Sequence, residues 1–277
     1  MKNLLFITTL GVIALSACCG GPKKETPAPQ PLNISIYLDL SDRLVRGLTP
    51  DQMYRDTAII NYFTDLFIRQ NIGSALISPD NKNKIKVIFY PTPEYSDIST
   101  HAKGLNVDME SLSTAERGDA IDNIKEVFQK NLTQIYEETL EAQKWVGCDI
   151  WDFFSSKKVD NLCIKNGARN ILVILTDGYI YAENNKIREG NAYSYILPQT
   201  LAIDGSSLID RRSGDLKDKG LEVLMLEINP YQPNQRNKMV KILEDWFSAM
   251  GIEKFVVAET DANLTNTETI IKNFLEN

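Results

Sequence analysis

Apolar residues along the chain keep two alternating rhythms. Nearly continuous, β-rich runs occur at NISIYLDL (33–40), KIKVIFYPT (84–92), NILVILTDG (170–178), GLEVLMLEINP (220–230) and KFVVAET (254–260). Such runs suit strands covered on both faces. Between them, apolar residues recur every third or fourth position. Ile59, Ile60, Phe63, Leu66 and Phe67 mark one helix, with Thr49 as cap, Pro50 at its first position, Gln52 completing a Thr-x-x-Gln box and Gly73 near its end. Ile121, Ile124, Phe128, Leu132 and Ile135 line a long helix over 114–143. Residues 149–164, 235–251 and 263–275 carry three more helical patterns. Ser74–Ser78 reads as a strand beside the second run, and 93–112 as loop.

Strands that alternate with helices predict an α/β fold: a doubly wound, mostly parallel six-stranded sheet with helices on both faces. The 277 residues are 43% hydrophobic and show no internal repeat, which suits a single domain over 33–277. A net charge of −7 with no basic run excludes nucleic acid as a partner, because phosphate binding needs clustered Lys and Arg.

The first residues bear on location. Lys2 precedes an apolar stretch from Leu4 to Leu15, too short to span a bilayer, and Leu15-Ser16-Ala17-Cys18 follows. That quartet resembles the bacterial lipobox. The resemblance implies a signal peptide over 1–17, lipidation at Cys18, a Pro-rich tether over 18–32, and membrane attachment through a lipid anchor in the cell envelope. Gly20 rather than Asp, two residues after the anchor, favours the outer membrane. On an exported chain, Cys148 and Cys163 read as a disulfide pair. The single His101 reads as a surface loop residue, which argues against a His-based zinc site or a Ser-His-Asp triad. Arg117-Gly118-Asp119 enters a helix, so it is not displayed as a loop-tip adhesion motif.

Candidate chemistry lies where strands end in oxygens. Asp39-Leu40-Ser41 closes the first strand and Thr176-Asp177-Gly178 the fourth. Ligands of open α/β sheets bind beyond the strand carboxyl ends, where strand order reverses. In the order 3-2-1-4-5-6, Asp39 and Asp177 face each other across one crevice.

With these motifs in this order, the chain resembles the von Willebrand factor A family. The resemblance implies a metal-ion-dependent adhesion site, with Asp39, Ser41 and Asp177 holding Mg²⁺ or a similar divalent cation while a protein or glycan ligand completes its coordination. The family's second Ser falls on Arg43, and its loop Thr falls at Ala115, one residue from Thr114. Arg43 is able to fork onto Asp39 or Asp177 in place of an ion, and Asp42 to pair with Arg43 or stay solvated. Arg43, Asp42, Tyr179 and Tyr181 are the candidate partner-binding residues. The long segment after Gly178, with Tyr179, Tyr181, Tyr193 and Tyr195, reads either as a partner surface or as a hairpin. The expected function is a membrane-anchored binding or adhesion module for a protein, peptide or glycan. The alternatives are a Mg²⁺-dependent haloacid-dehalogenase-like phosphotransferase, whose second Asp is Ser41 here, and an envelope scaffold with a vestigial crevice.

Overall fold

A computed structural model describes residues 30–92, 96–143, 145, 147–179, 186–189, 192–195, 202–203, 206–207 and 214–276. Its centre is β1 (Leu32–Leu38), buried along its whole length. β2 (Lys84–Ile88), β4 (Arg169–Leu175), β9 (Leu221–Ile228) and β10 (Lys254–Glu259) run parallel to it, and β3 (Asn106–Asp108) closes one edge antiparallel to β2. The spatial order is β10-β9-β4-β1-β2-β3. Counted along the chain within this sheet, that is 3-2-1-4-5-6, so strand order reverses between β1 and β4. Two small antiparallel pairs lie outside it, β5 (Lys186–Glu189) with β6 (Ala192–Tyr195), and β7 (Ala202–Ile203) with β8 (Ser206–Ser207). The β5–β6 pair is the expected hairpin, with Tyr193 opposite Arg188 and Tyr195 opposite Lys186. Tyr181 and Cys18 lie outside the described residues.

Strand alternation sends side chains to both faces, and each face has its own apolar cluster. Ile34, Ile36 and Leu38 meet α1 (Gln52–Gln70), α4 (Thr114–Ala142) and α8 (Leu264–Glu276). Tyr37, Leu172 and Ile174 meet α5 (Ile150–Ser155), α6 (Lys158–Cys163) and α7 (Arg236–Ala249). The expected helices on both faces are present.

Local expectations differ from the structure in several places. Asp51, not Thr49, caps α1, accepting from Tyr54 N at 2.8 Å. Gln52 is buried and its amide is used inside the protein, so the Thr-x-x-Gln box does not form. Ser74–Ile77 is a helical turn, α2, rather than a strand. Arg117 holds that turn, donating to Ser78 O at 2.7 Å and to Met109 O at 2.8 Å. Residues 93–112 contain α3 (Ser96–Lys103) and β3. Their short, polar sequence hides both from periodicity. His101 belongs to α3, its ring between Asn131 and Glu138 of α4. The single helix expected over 149–164 breaks at Lys157, where φ is 61°, into α5 and α6.

Cys148 and Cys163 are buried free thiols, which corrects the disulfide reading. They pack at different heights along β1. The Cys163 thiol lies against the Ser35 hydroxyl, whereas Cys148 lies against Tyr37 and Thr176 beside Asp39. Four residues of strand separate Ser35 from Asp39, roughly 13 Å, and a disulfide closes only when the Cα atoms are within about 7 Å.

Candidate functional site

The crevice forms because β1 and β4 end together. Asp39 N donates to Leu175 O at 3.1 Å, extending the pairing one residue past β1, and Leu40 then bridges to Gly147. Ser41 caps a 3-10 turn over Asp42–Val45. Asp39 is fully buried, its Oδ1 accepting from Ser41 N at 2.8 Å and its Oδ2 from the Thr176 hydroxyl at 2.8 Å. Asp177 accepts from Tyr179 N at 3.0 Å, and its backbone carbonyl accepts from Asn229 N at 3.0 Å. Gly178 lets the chain turn there: φ is 96°, and a Cβ would collide with Met239 Sδ. The structure thus places Asp39 and Asp177 at one crevice, where the charge of one acts on the other, with Ser41 hydrogen-bonded to Asp39.

It does not bring Thr114. That residue opens α4 at the amino ends of the strands, while Tyr136, further along α4, reaches the crevice side and donates to Asp56 Oδ2 at 3.0 Å. Twenty-two residues of helix separate the two, roughly 33 Å at about 1.5 Å per residue.

Arg43 takes neither Asp39 nor Asp177 as its main partner. It forks onto Asp56 of α1, Nη2 to Oδ2 at 2.7 Å and Nη1 to Oδ1 at 3.3 Å. Its Nε donates to the Asp39 backbone carbonyl at 2.9 Å and lies 3.7 Å from the Asp39 carboxylate. Asp42 does not pair with Arg43 either, but accepts from the Tyr231 hydroxyl at 2.7 Å.

The network continues to Glu227. β9 carries a bulge there: Leu226 and Glu227 lie between Met225 and Ile228, while the partner strand has only Ala258 between Val257 and Glu259. One extra residue swaps the faces. Leu224 and Leu226 face α1, and Ile228 returns to the α7 side with Met225. Glu227, at φ 72°, turns its carboxylate toward α1. There Arg55 donates to it through Nε at 2.6 Å and Nη2 at 2.8 Å, and Gln52 links Asp56 to it with contacts of 2.9 and 3.4 Å.

Arg46 closes the crevice. Its Nη2 is 2.6 Å from Asp177 Oδ2, and Nη1 donates to the Asn229 carbonyl. Its guanidinium stacks 3.6 Å from the Tyr231 ring centre and 5.8 Å from that of Tyr179. Tyr179 donates through its hydroxyl to Gln235 at 3.3 Å and accepts from Tyr231 N.

Burial shifts the carboxyls upward. Asp177 is pushed up to about 7, first by burial and then by the charge of Asp39, with Arg46 opposing. Burial also raises Asp39 and Asp56, against the pull of Arg43. A raised carboxyl keeps in the folded state a proton that the unfolded chain has lost. Stability should therefore fall as pH rises from about 4 to about 7, the window between the ordinary and folded values for Asp177. One proton gives a slope of at most about 1.4 kcal/mol per pH unit. Urea midpoints across this range should show the fall, and Asp177→Asn should lessen it. A profile that is flat or rising in wild type contradicts this arrangement.

The sequence reading missed Arg46, Asp56, Glu227, Arg55, Gln52 and Tyr231. Four of these carried a signal. Gln52, Arg55 and Asp56 continue the Ile59, Ile60 and Phe63 stripe of α1 at helical spacing, and Glu227 interrupts an apolar strand. Charged groups placed on a buried face need partners.

A divalent ion does not fit this donor set as it stands. The Arg46 guanidinium already lies on Asp177 Oδ2, and Asp177 Oδ1 accepts from Tyr179 N. Among the described residues, no three His, Cys, Asp or Glu side chains come together as a metal cluster.

No family model matches the chain, and no curated protein does. Among solved structures, the conserved hypothetical protein BatB from Bacteroides thetaiotaomicron is similar, with a TM-score of 0.42 and 11% identity, covering 89% of this chain and all of that one. A likeness this distant carries no argument about function, and the α/β assignment rests on the strand order and pairing above.

Proposed function

We propose that this chain is an envelope-tethered, non-catalytic binding domain of the von Willebrand factor A type, recognising a protein, peptide or glycan at the crevice over Asp39 and Asp177. The observation that carries the reading is the pairing of these two buried acids, from Asp-x-Ser and Thr-Asp-Gly, at the point where strand order reverses. The rim adds contact chemistry. Val45 and Tyr231 stand 58% and 63% exposed beside Arg46, and an exposed aliphatic with an exposed Tyr suits a partner surface. The phosphotransferase reading fares worse. That chemistry needs a second carboxylate two residues after Asp39 as its acid/base, and Ser41 stands there. The proposed attachment is through Cys18, and no described helix is long and apolar enough to cross a membrane.

A photocrosslinking residue tests this when placed at Val45 on the rim and, as a control, at Ile77, which is 65% exposed near the amino ends of the strands. In envelope preparations Val45 should give discrete adducts that excess unlabelled domain competes away, and Ile77 should not. Identical adducts from both positions, or none from Val45, would count against the crevice as the binding face.

A further inference from the structure

Two buried carboxylates at one crevice need a positive counter-charge, and the chain supplies its own. Arg43 is committed to Asp56 and Arg55 to Glu227. Arg46 is the cation on Asp177, reaching in from the residue after the 3-10 turn, between exposed Val45 and exposed Gly47. It is held by charge, by stacking under Tyr231 and by one carbonyl, while its Nε is buried without an acceptor. A guanidinium suits such a place because it is permanently charged, planar and weakly hydrated.

We propose that Arg46 is a resident counter-ion occupying the place of a divalent cation, so that this crevice works without metal, and that removing its charge converts Asp39, Ser41 and Asp177 into a divalent-cation site. Once the guanidinium leaves, Asp177 Oδ2 loses its cationic neighbour, while Asp39, whose charge acts on it, and Ser41, hydrogen-bonded to Asp39, share the crevice. Two carboxylates and a hydroxyl, with water filling the remaining positions, meet the needs of a Mg²⁺-sized ion. Arg43 does not prevent this, because its fork is spent on Asp56. Arg46 lies on a surface turn rather than in either apolar cluster, so its guanidinium can be removed without opening a cavity in them. The inference concerns the same crevice as the proposed binding face but stands on the Arg46 geometry alone. Its readout is ion binding, so its failure and that of partner recognition are separable.

The test is Mn²⁺ titration of the full chain at pH 8, read by electron paramagnetic resonance and by thermal shift. The variants are Arg46→Ala, Arg46→Gln and the double Arg46→Gln/Asp177→Asn. Wild type should bind no Mn²⁺ below about 10 mM, and both single variants should bind at least about 100-fold more tightly. The double variant should lose that gain. Submillimolar binding by wild type would overturn the proposal, as would folded single variants that gain nothing. Unfolding of both single variants would overturn it too, since Arg46 would then be a structural staple rather than a replaceable charge.

Discussion

Asp56→Ala should cost about 3–5 kcal/mol of stability, as expected when one partner of a buried ion pair is removed. Arg43 is 1% exposed and Asp56 is fully buried, so no water enters to replace the lost carboxylate. The substitution strips the Arg43 fork of both its contacts, leaves the Tyr136 hydroxyl without that acceptor and leaves the Gln52 amide only its longer contact to Glu227. Asp39, 3.7 Å from Arg43 Nε, absorbs part of the stranded charge and places the expectation toward the lower end. Replacing both partners, as in Arg43→Met/Asp56→Leu, should cost clearly less, because apolar groups leave no orphaned charge. Urea unfolding of the single and double variants makes the comparison. A loss under about 1 kcal/mol for Asp56→Ala is the size seen for exposed pairs and would mean that Arg43 is solvated.

Glu227→Ala should have a similar effect, about 3 kcal/mol, because Arg55 is 1% exposed and both its bonded nitrogens point at Glu227. Here the backbone offers a second check. Glu227 sits at φ 72°, where a side chain costs about 1 kcal/mol relative to glycine. Glu227→Gly should therefore be the more stable of the two truncations by roughly that amount, although it removes more atoms. If Ala proves equal to or better than Gly, the β9 bulge does not hold this residue in the left-handed region.

Much of the fold was legible because the relevant signals are strong ones. Long apolar runs give β1, β4 and β9, and the Ile121–Ile135 stripe gives the buried face of α4. What escaped was short or polar: α2, α3 and the three-residue β3 have too few turns or alternations for a period to emerge. The pairing of Asp39 with Asp177 was legible because it depends on winding order, which follows from counting strands. The partners of the arginines were not. Arg43 bypasses the nearer acids in sequence for Asp56, and Glu227 reaches α1 only because of one inserted residue in β9. A bulge leaves no mark on an apolar pattern until a charged residue is required to face the wrong way.

β1 starts at Leu32, hydrogen-bonded to the Asn83 side chain, while Arg169 N is tied to the Pro31 carbonyl. Asp39 lies at the other end of that strand, roughly 23 Å away. The polypeptide thus enters the sheet at its foot and shows its acids at its head. Under the proposed attachment through Cys18, the anchored segment joins the domain at the end of the sheet opposite the crevice.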